Sequence, residues 1–154
     1  FLLKKDLLLY LGNDVEFYLP KIKIQKKINN KLQSRGSFLL GDYLLCFHKS
    51  FENKKTITSL KYCKGLKYFL NNFKEEQEEI SNFVNKCKTS EDKDGFIKQC
   101  FFEFKENGIF KFITGPFTDT GFKIIDRRKT DIKILIGKFT ATVSKDNYLF
   151  RPVY

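Results

Sequence analysis

Ile109-Phe110-Lys111-Phe112-Ile113-Thr114-Gly115-Pro116-Phe117-Thr118-Asp119-Thr120-Gly121-Phe122-Lys123-Ile124-Ile125-Asp126 sets two apolar runs on either side of a turn. Gly115-Pro116 opens the turn, Phe117 sits at its tip or folds under it, and Gly121 allows a backbone geometry that a side chain would block. The pattern then repeats. A charged turn at 127–130 leads to Ile132-Ile134-Ile136, and Phe139-Ala141-Val143 follows before a turn at 144–147. Period-two alternation over short runs with close turns predicts strands at 109–113, 122–125, 132–136 and 139–143, closed into a small β-barrel.

Upstream the periodicity changes. Residues 88–95, KTSEDKDG, carry mixed charge and no large apolar side chain, so they are expected to link two modules, 1–87 and 96–154. The first module opens with Leu2, Leu3, Leu7, Leu9 and Leu11 in a short helix stopped at Gly12-Asn13. Val15, Phe17 and Leu19 alternate into Pro20 as a strand, and an exposed basic hairpin turns at Asn29-Asn30. Residues 38–47 are almost wholly apolar and predict a buried central strand. A helix at 56–62, a strand at 66–70 and a helix at 75–87 complete the module. In that last helix Ile80, Phe83, Val84 and Cys87 share a face. The expected class is α+β: an α/β sandwich followed by a small barrel.

With 42% hydrophobic and 31% charged residues over 154 positions, the chain is neither a disordered tail nor a membrane protein. Its formal charge of +11 permits attraction to nucleic acid or anionic membranes. Part of that charge reflects composition, because lysine outnumbers arginine 25 to 4 while Met and Trp are absent, as an AT-rich coding bias would produce. Cys46, Cys63, Cys87 and Cys100 are too irregularly spaced for a metal knuckle or redox pair, and they read as free thiols in a reducing compartment. Lys4, Lys5 and Asp6 interrupt the only signal-like run, so a cytoplasmic location is expected.

No GxSxG, P-loop, HExxH or GxGxxG pattern is present. The single histidine, His48, reads as a satisfied core or edge residue. Glu75, Glu76, Glu78 and Glu79 read as a solvated helix face rather than an acid/base pair. The chain is expected not to be an enzyme and to need no cofactor or metal. Its binding signals are basic. Lys21, Lys23, Lys26, Lys27, Lys31 and Arg35 contain no acid among them, which suits either a hairpin tracking phosphates or an edge protected from aggregation. Around Gly65, Tyr62, Lys64, Lys67 and Tyr68 interleave rings with charge, as a surface for single strands does.

The GPF loop followed by glycine resembles the KOW module of the NusG family of transcription elongation factors. Three segments of the first module extend the resemblance. Phe17-Tyr18-Leu19-Pro20 is similar to the proline-ended strand of the family's N-terminal (NGN) domain. Phe38-Leu39-Leu40-Gly41-Asp42-Tyr43-Leu44-Leu45 is similar to its FPGY strand without the proline. Cys63-Lys64-Gly65-Leu66 before Phe69-Leu70 matches its basic-glycine-apolar segment. The acidic helix and linker stand where the family has them. The family's first strand, usually with a Trp-Tyr pair, is expected upstream of Phe1.

The resemblance implies a monomeric, non-enzymatic elongation or antitermination factor, with a specialised RfaH-like paralogue favoured by the divergent strand. It implies that Leu39, Leu40, Tyr43, Leu45, Phe69 and Leu70 meet the clamp of RNA polymerase, that Thr56, Ile57 and Thr58 meet the opposite pincer, and that Lys64 meets non-template DNA. Lys61 and Lys67 beside it, and Lys26, Lys27, Lys31 and Arg35 on the hairpin, complete the nucleic-acid set. Phe117 matches a residue that engages a small-subunit ribosomal protein, next to a surface that binds Rho. Some specialised members refold the barrel into a helical hairpin; the β-branched run here favours the barrel, while Phe101, Phe102 and Phe104 are compatible with helix. The alternative is a KOW-containing RNA-binding module acting on the ribosome.

Overall fold

The computed structural model describes residues 2–102, 108–145 and 147–153. In chain order these form α1 (Leu2–Leu11), β1 (Glu16–Tyr18), β2 (Lys21–Ile28), β3 (Lys31–Phe38), β4 (Leu45–Phe47), α2 (Lys54–Leu60) and α3 (Gln77–Thr89). They continue with β5 (Ile109–Phe112), β6 (Gly121–Arg127), β7 (Asp131–Ile136), β8 (Phe139–Ser144) and β9 (Phe150–Pro152). All strand pairs are antiparallel, and the class is mixed α and β.

The chain divides into two compact units, and the division is not the linear one expected. Residues up to Leu19 join Asp42–Asn85 in the first, and Pro20–Gly41 join the residues from Lys86 onward in the second. The basic hairpin therefore belongs with the C-terminal strands and not with the first module.

In the first unit, Leu3, Leu7 and Leu11 recur every four residues on α1 and form an apolar stripe. Leu7 is buried with Leu60 and Cys63, and Phe17, Leu44, Cys46, Phe51 and Phe69 pack around them. Gly12 stops α1 as expected: its φ is +86°, and its N–H closes on the Leu8 carbonyl at 2.9 Å. Asn53 starts α2 by accepting the Lys55 N–H on Oδ1 at 2.9 Å. Among the described residues the sheet here is only the β1–β4 pair.

Two expected strands are absent as such. The apolar run 38–47 breaks into the end of β3, a turn through 39–42 with Gly41 at φ +62°, and the short β4. The Leu39 N–H bonds back to the Pro20 carbonyl at 2.8 Å, which extends the hairpin ladder by one bond and ends it. Residues 66–70 form no strand, because Phe69 spends its ring on Phe51 and Phe73, at centroid distances of 6.1 and 5.6 Å, in a chain reversed at Gly65 (φ +86°). Helix α3 replaces the expected 75–87 helix with a start two residues later, since Glu75 and Glu76 donate to the Asn72 carbonyl in a preceding turn.

In the second unit β5–β9 form one sheet in the order β8-β7-β6-β5-β9, so the last strand returns beside the first. The strands at 109–113, 122–125, 132–136 and 139–143 appear within a residue or two of expectation, and β9 is additional. Its core is aromatic: Phe110, Phe112, Phe122 and Phe150 are buried with Ile124, Ile132, Ile134 and Val143. Phe112 and Phe122 approach to 4.3 Å between centroids, and Phe150 meets Phe122 edge-on at 5.3 Å. Hairpin β2–β3 turns on Asn29 and Asn30 at φ +50° and +60°, the mirror-image turn that suits strand twist and that asparagine tolerates.

The segment 88–95 ends α3 at Thr89 and continues in a built turn. One oxygen of Asp92 accepts the N–H groups of Asp94 and Phe96, each at 2.9 Å, and the Asp92 N–H reaches the Phe96 carbonyl at 2.8 Å. Ser90 is buried, and its carbonyl takes the Lys98 N–H at 2.9 Å. Gln99–Phe101 make a single 3-10 turn where Phe101 and Phe102 suggested helix; Phe104 lies outside the described residues.

Candidate functional site

The hairpin carries the densest charge. Its register pairs Ile24 with Arg35, Lys26 with Gln33 and Ile28 with Lys31, and directly paired residues share a face. Lys26, Lys31 and Arg35 therefore lie on one face with Ile22, Ile24 and Ile28. Lys27 lies on the other, with Lys21, Lys23 and Leu32. That second face is partly covered: Phe96 stands so close over Gly36 that a Cβ there would meet its ring at 3.2 Å, and the Lys23 ammonium sits over the same ring at 5.8 Å. The four hairpin residues expected to bind nucleic acid are all exposed, but three face one way and Lys27 the other.

The hairpin is fastened to the GPF loop by Gln25. Its backbone N–H donates to the Ile113 carbonyl at 2.8 Å, its side-chain oxygen accepts the Gly115 N–H at 2.6 Å, and its carbonyl accepts the Thr118 hydroxyl at 3.2 Å. Gly115 has φ +85°, and Tyr148 packs where its Cβ would be. Phe117 is 43% exposed at the loop surface with its ring 5.9 Å from Phe112, so it is both anchored and available.

The first unit holds the other candidates. Tyr43 and Tyr68 are exposed and joined hydroxyl to hydroxyl at 3.1 Å; that bond, then the neighbouring phenol's charge, raises the Tyr43 pKa. Leu70 is exposed, Leu45 is half-buried on β4, and Phe69 belongs to the core cluster. Leu39 and Leu40 lie in the 39–42 turn and count with the second unit, so the six apolar positions are divided between units. Thr56 and Ile57 are half-buried on α2, and Thr58 is exposed with its hydroxyl turned back to the Lys54 carbonyl at 2.9 Å.

Lys61, Lys64 and Lys67 are all exposed around Tyr62, which is 82% exposed. The Lys64 backbone is fixed by its N–H bond to Asp6 at 2.9 Å, and Gly65 lets the chain pass close to Leu3, whose nitrogen would lie 3.3 Å from a Cβ. Rings and lysines thus line one exposed, anchored turn.

Scans against protein-family models and against curated proteins find no match. The exposed surfaces themselves therefore carry the functional reading. His48 works as a cap, its Nδ1 accepting the Ser50 N–H at 3.2 Å, and Glu75, Glu76, Glu78 and Glu79 are exposed. Among the described residues no group of His, Cys, Asp and Glu is placed to hold a metal ion, and no helix is long and apolar enough to cross a membrane. Two residues escaped the sequence reading. Gln25 looks like one more polar hairpin residue, and Arg151 gives only the alternation of Phe150-Arg151-Pro152-Val153 as a signal.

Proposed function

We propose that the chain is a NusG-like transcription elongation or antitermination factor, in which the first unit contacts RNA polymerase and nucleic acid and the strands β5–β9 form a KOW-like barrel. The observation that carries the reading is the sheet order β8-β7-β6-β5-β9 with the GPF loop between β5 and β6 and Phe117 exposed on that loop. The exposed Tyr43–Tyr68 pair and Leu70 supply rings and an apolar side chain for a protein partner, and Lys61, Lys64 and Lys67 supply charge for non-template DNA. Phe117 is the proposed contact for a small-subunit ribosomal protein or Rho.

Pull-down of the full chain with core RNA polymerase tests this. Binding that is lost in Tyr43→Glu and Leu70→Glu supports it; failure of the unaltered chain to bind overturns it. A second reading, an RNA-binding module acting on the ribosome, is favoured by one observation: the six-cation hairpin is hydrogen-bonded to the GPF loop within one unit. Binding to ribosomal RNA together with indifference to polymerase selects it.

A further inference from the structure

A cleft of about 250 Å³ in the second unit runs between the hairpin and the C-terminal strands. One wall is the hairpin face that carries Ile22, Ile24, Lys26 and Arg35; Asp119 and Arg151 belong to the other. Asp119 is already engaged, since the Lys111 ammonium lies 3.0 Å from its carboxylate, and Lys111 is the strand partner of Arg151. The side chains of Lys26, Arg35 and Arg151 are exposed and make no hydrogen bond or ion pair among the described residues. Three uncompensated cations around one cleft repel each other until an anion enters, and guanidinium forks match the oxygens of a phosphate.

We propose that this cleft holds a phosphate of single-stranded nucleic acid, gripped by Lys26, Arg35 and Arg151. The same hairpin face continues past the cleft to Lys31, four residues from Arg35 and so about 13 Å along the strand. Cations that recur along one line suit a repeating polyanion better than an isolated small one. The exposed Ile28 on that face, next to Lys31, offers an apolar surface to a base. The inference rests on the reading that the chain binds nucleic acid, to which it adds a site in the second unit, and does not involve polymerase.

Fluorescence anisotropy of the full chain with a labelled 12-mer of deoxythymidine tests it. Arg35→Gln and Arg151→Gln are expected to weaken binding about tenfold each and to reduce the slope of log affinity against log salt by about one. Lys138→Gln, an exposed lysine on the β7–β8 turn away from the cleft residues, removes the same charge as a control and is expected to change affinity less than twofold. Circular dichroism of each variant checks that the fold is kept. If Arg151→Gln matches Lys138→Gln while the unaltered chain binds, the cleft is overturned and the wider reading stands. No binding by the unaltered chain overturns both. Equally tight binding of poly-glutamate of matched charge also overturns the assignment to nucleic acid.

Discussion

The side-chain oxygen of Gln25 accepts the backbone N–H of Gly115 at 2.6 Å across 90 residues of sequence. Gly115 is buried, so this donor depends on Gln25 for its partner. The amide of Gln25 also donates to the Ser34 hydroxyl at 3.1 Å, which ties both hairpin strands to one side chain. Hairpin and GPF loop are therefore held by a polar joint, where an apolar contact would have left the Gly115 N–H unsatisfied.

Gln25→Ala is expected to destabilise the second unit by about 1–3 kcal/mol, the cost of leaving a buried donor without its acceptor. The Gln25 backbone bonds to Ile113 and Thr118 do not depend on the side chain and should persist. Urea unfolding gives the energy, and amide exchange gives the place: Gly115 should exchange faster while Ile113, whose N–H bonds the Leu149 carbonyl, stays protected. Unchanged exchange at Gly115 would contradict the joint.

Gly115→Ala should be costlier, at about 2–4 kcal/mol. The left-handed backbone at φ +85° penalises any side chain, and the new Cβ would fall 2.3 Å from Tyr148 Cδ1. Removing the obstructing ring in a Gly115→Ala, Tyr148→Ala double variant should recover part of the ring-clash cost and none of the backbone cost. A thermodynamic cycle built from denaturation midpoints separates them. Strict additivity of the two single changes would show that the ring is not the obstacle.

Strands β5–β8 were legible because period-two alternation and turn residues are local signals that agree with the sheet. β9 was not, because a three-residue strand shows no period; what places it is the burial of Phe150 against Phe110, Phe112 and Phe122. The run 38–47 misled because an apolar stretch has no period to reveal a break, and the break depends on Gly41 and on a bond from Leu39 to Pro20. The polar composition of 88–95 likewise hid a turn built by Asp92. Of the candidate surfaces, the lysines were readable as charge. Their facing was set by the two-asparagine turn, and the roles of Gln25 and Arg151 arise from neighbours remote in sequence.

The Asp92 turn makes an acid-sensitive contribution. The N–H of Phe96 above all, then that of Asp94 and the charges of Lys23 and Lys98, hold the Asp92 carboxyl below its ordinary value. Between the folded value and the ordinary one, near 3.9, the unfolded chain binds more protons, so stability falls as pH falls. The contribution is complete above the ordinary value and lost once pH passes below the folded one. Asp92→Asn should lower the urea midpoint at pH 6 and converge with the unaltered chain at acid pH; parallel curves would refute this. At neutral pH, Asp92→Ala should also open Lys93 to trypsin.

The four thiols should separate by environment rather than by sequence context. Burial pushes the Cys46 thiol up to about 11, burial and then the Asp6 charge raise that of Cys63, and Cys87 is fully buried, whereas Cys100 is exposed. Because the thiolate is the nucleophile, a brief iodoacetamide treatment at pH 8 should give one adduct, on the peptide containing Cys100. Prior unfolding should give four. The Cys46 shift also fixes a direction for alkaline stability. Its unfolded thiol ionises near 8.5 and its folded thiol at about 11, so stability should fall as pH rises through that window. Cys46→Ala, which cannot ionise, should lessen that fall. Mass spectrometry of the tryptic peptides checks the first outcome and denaturation midpoints from pH 8 to 11 check the second; rapid labelling of Cys46 in the folded chain would overturn both.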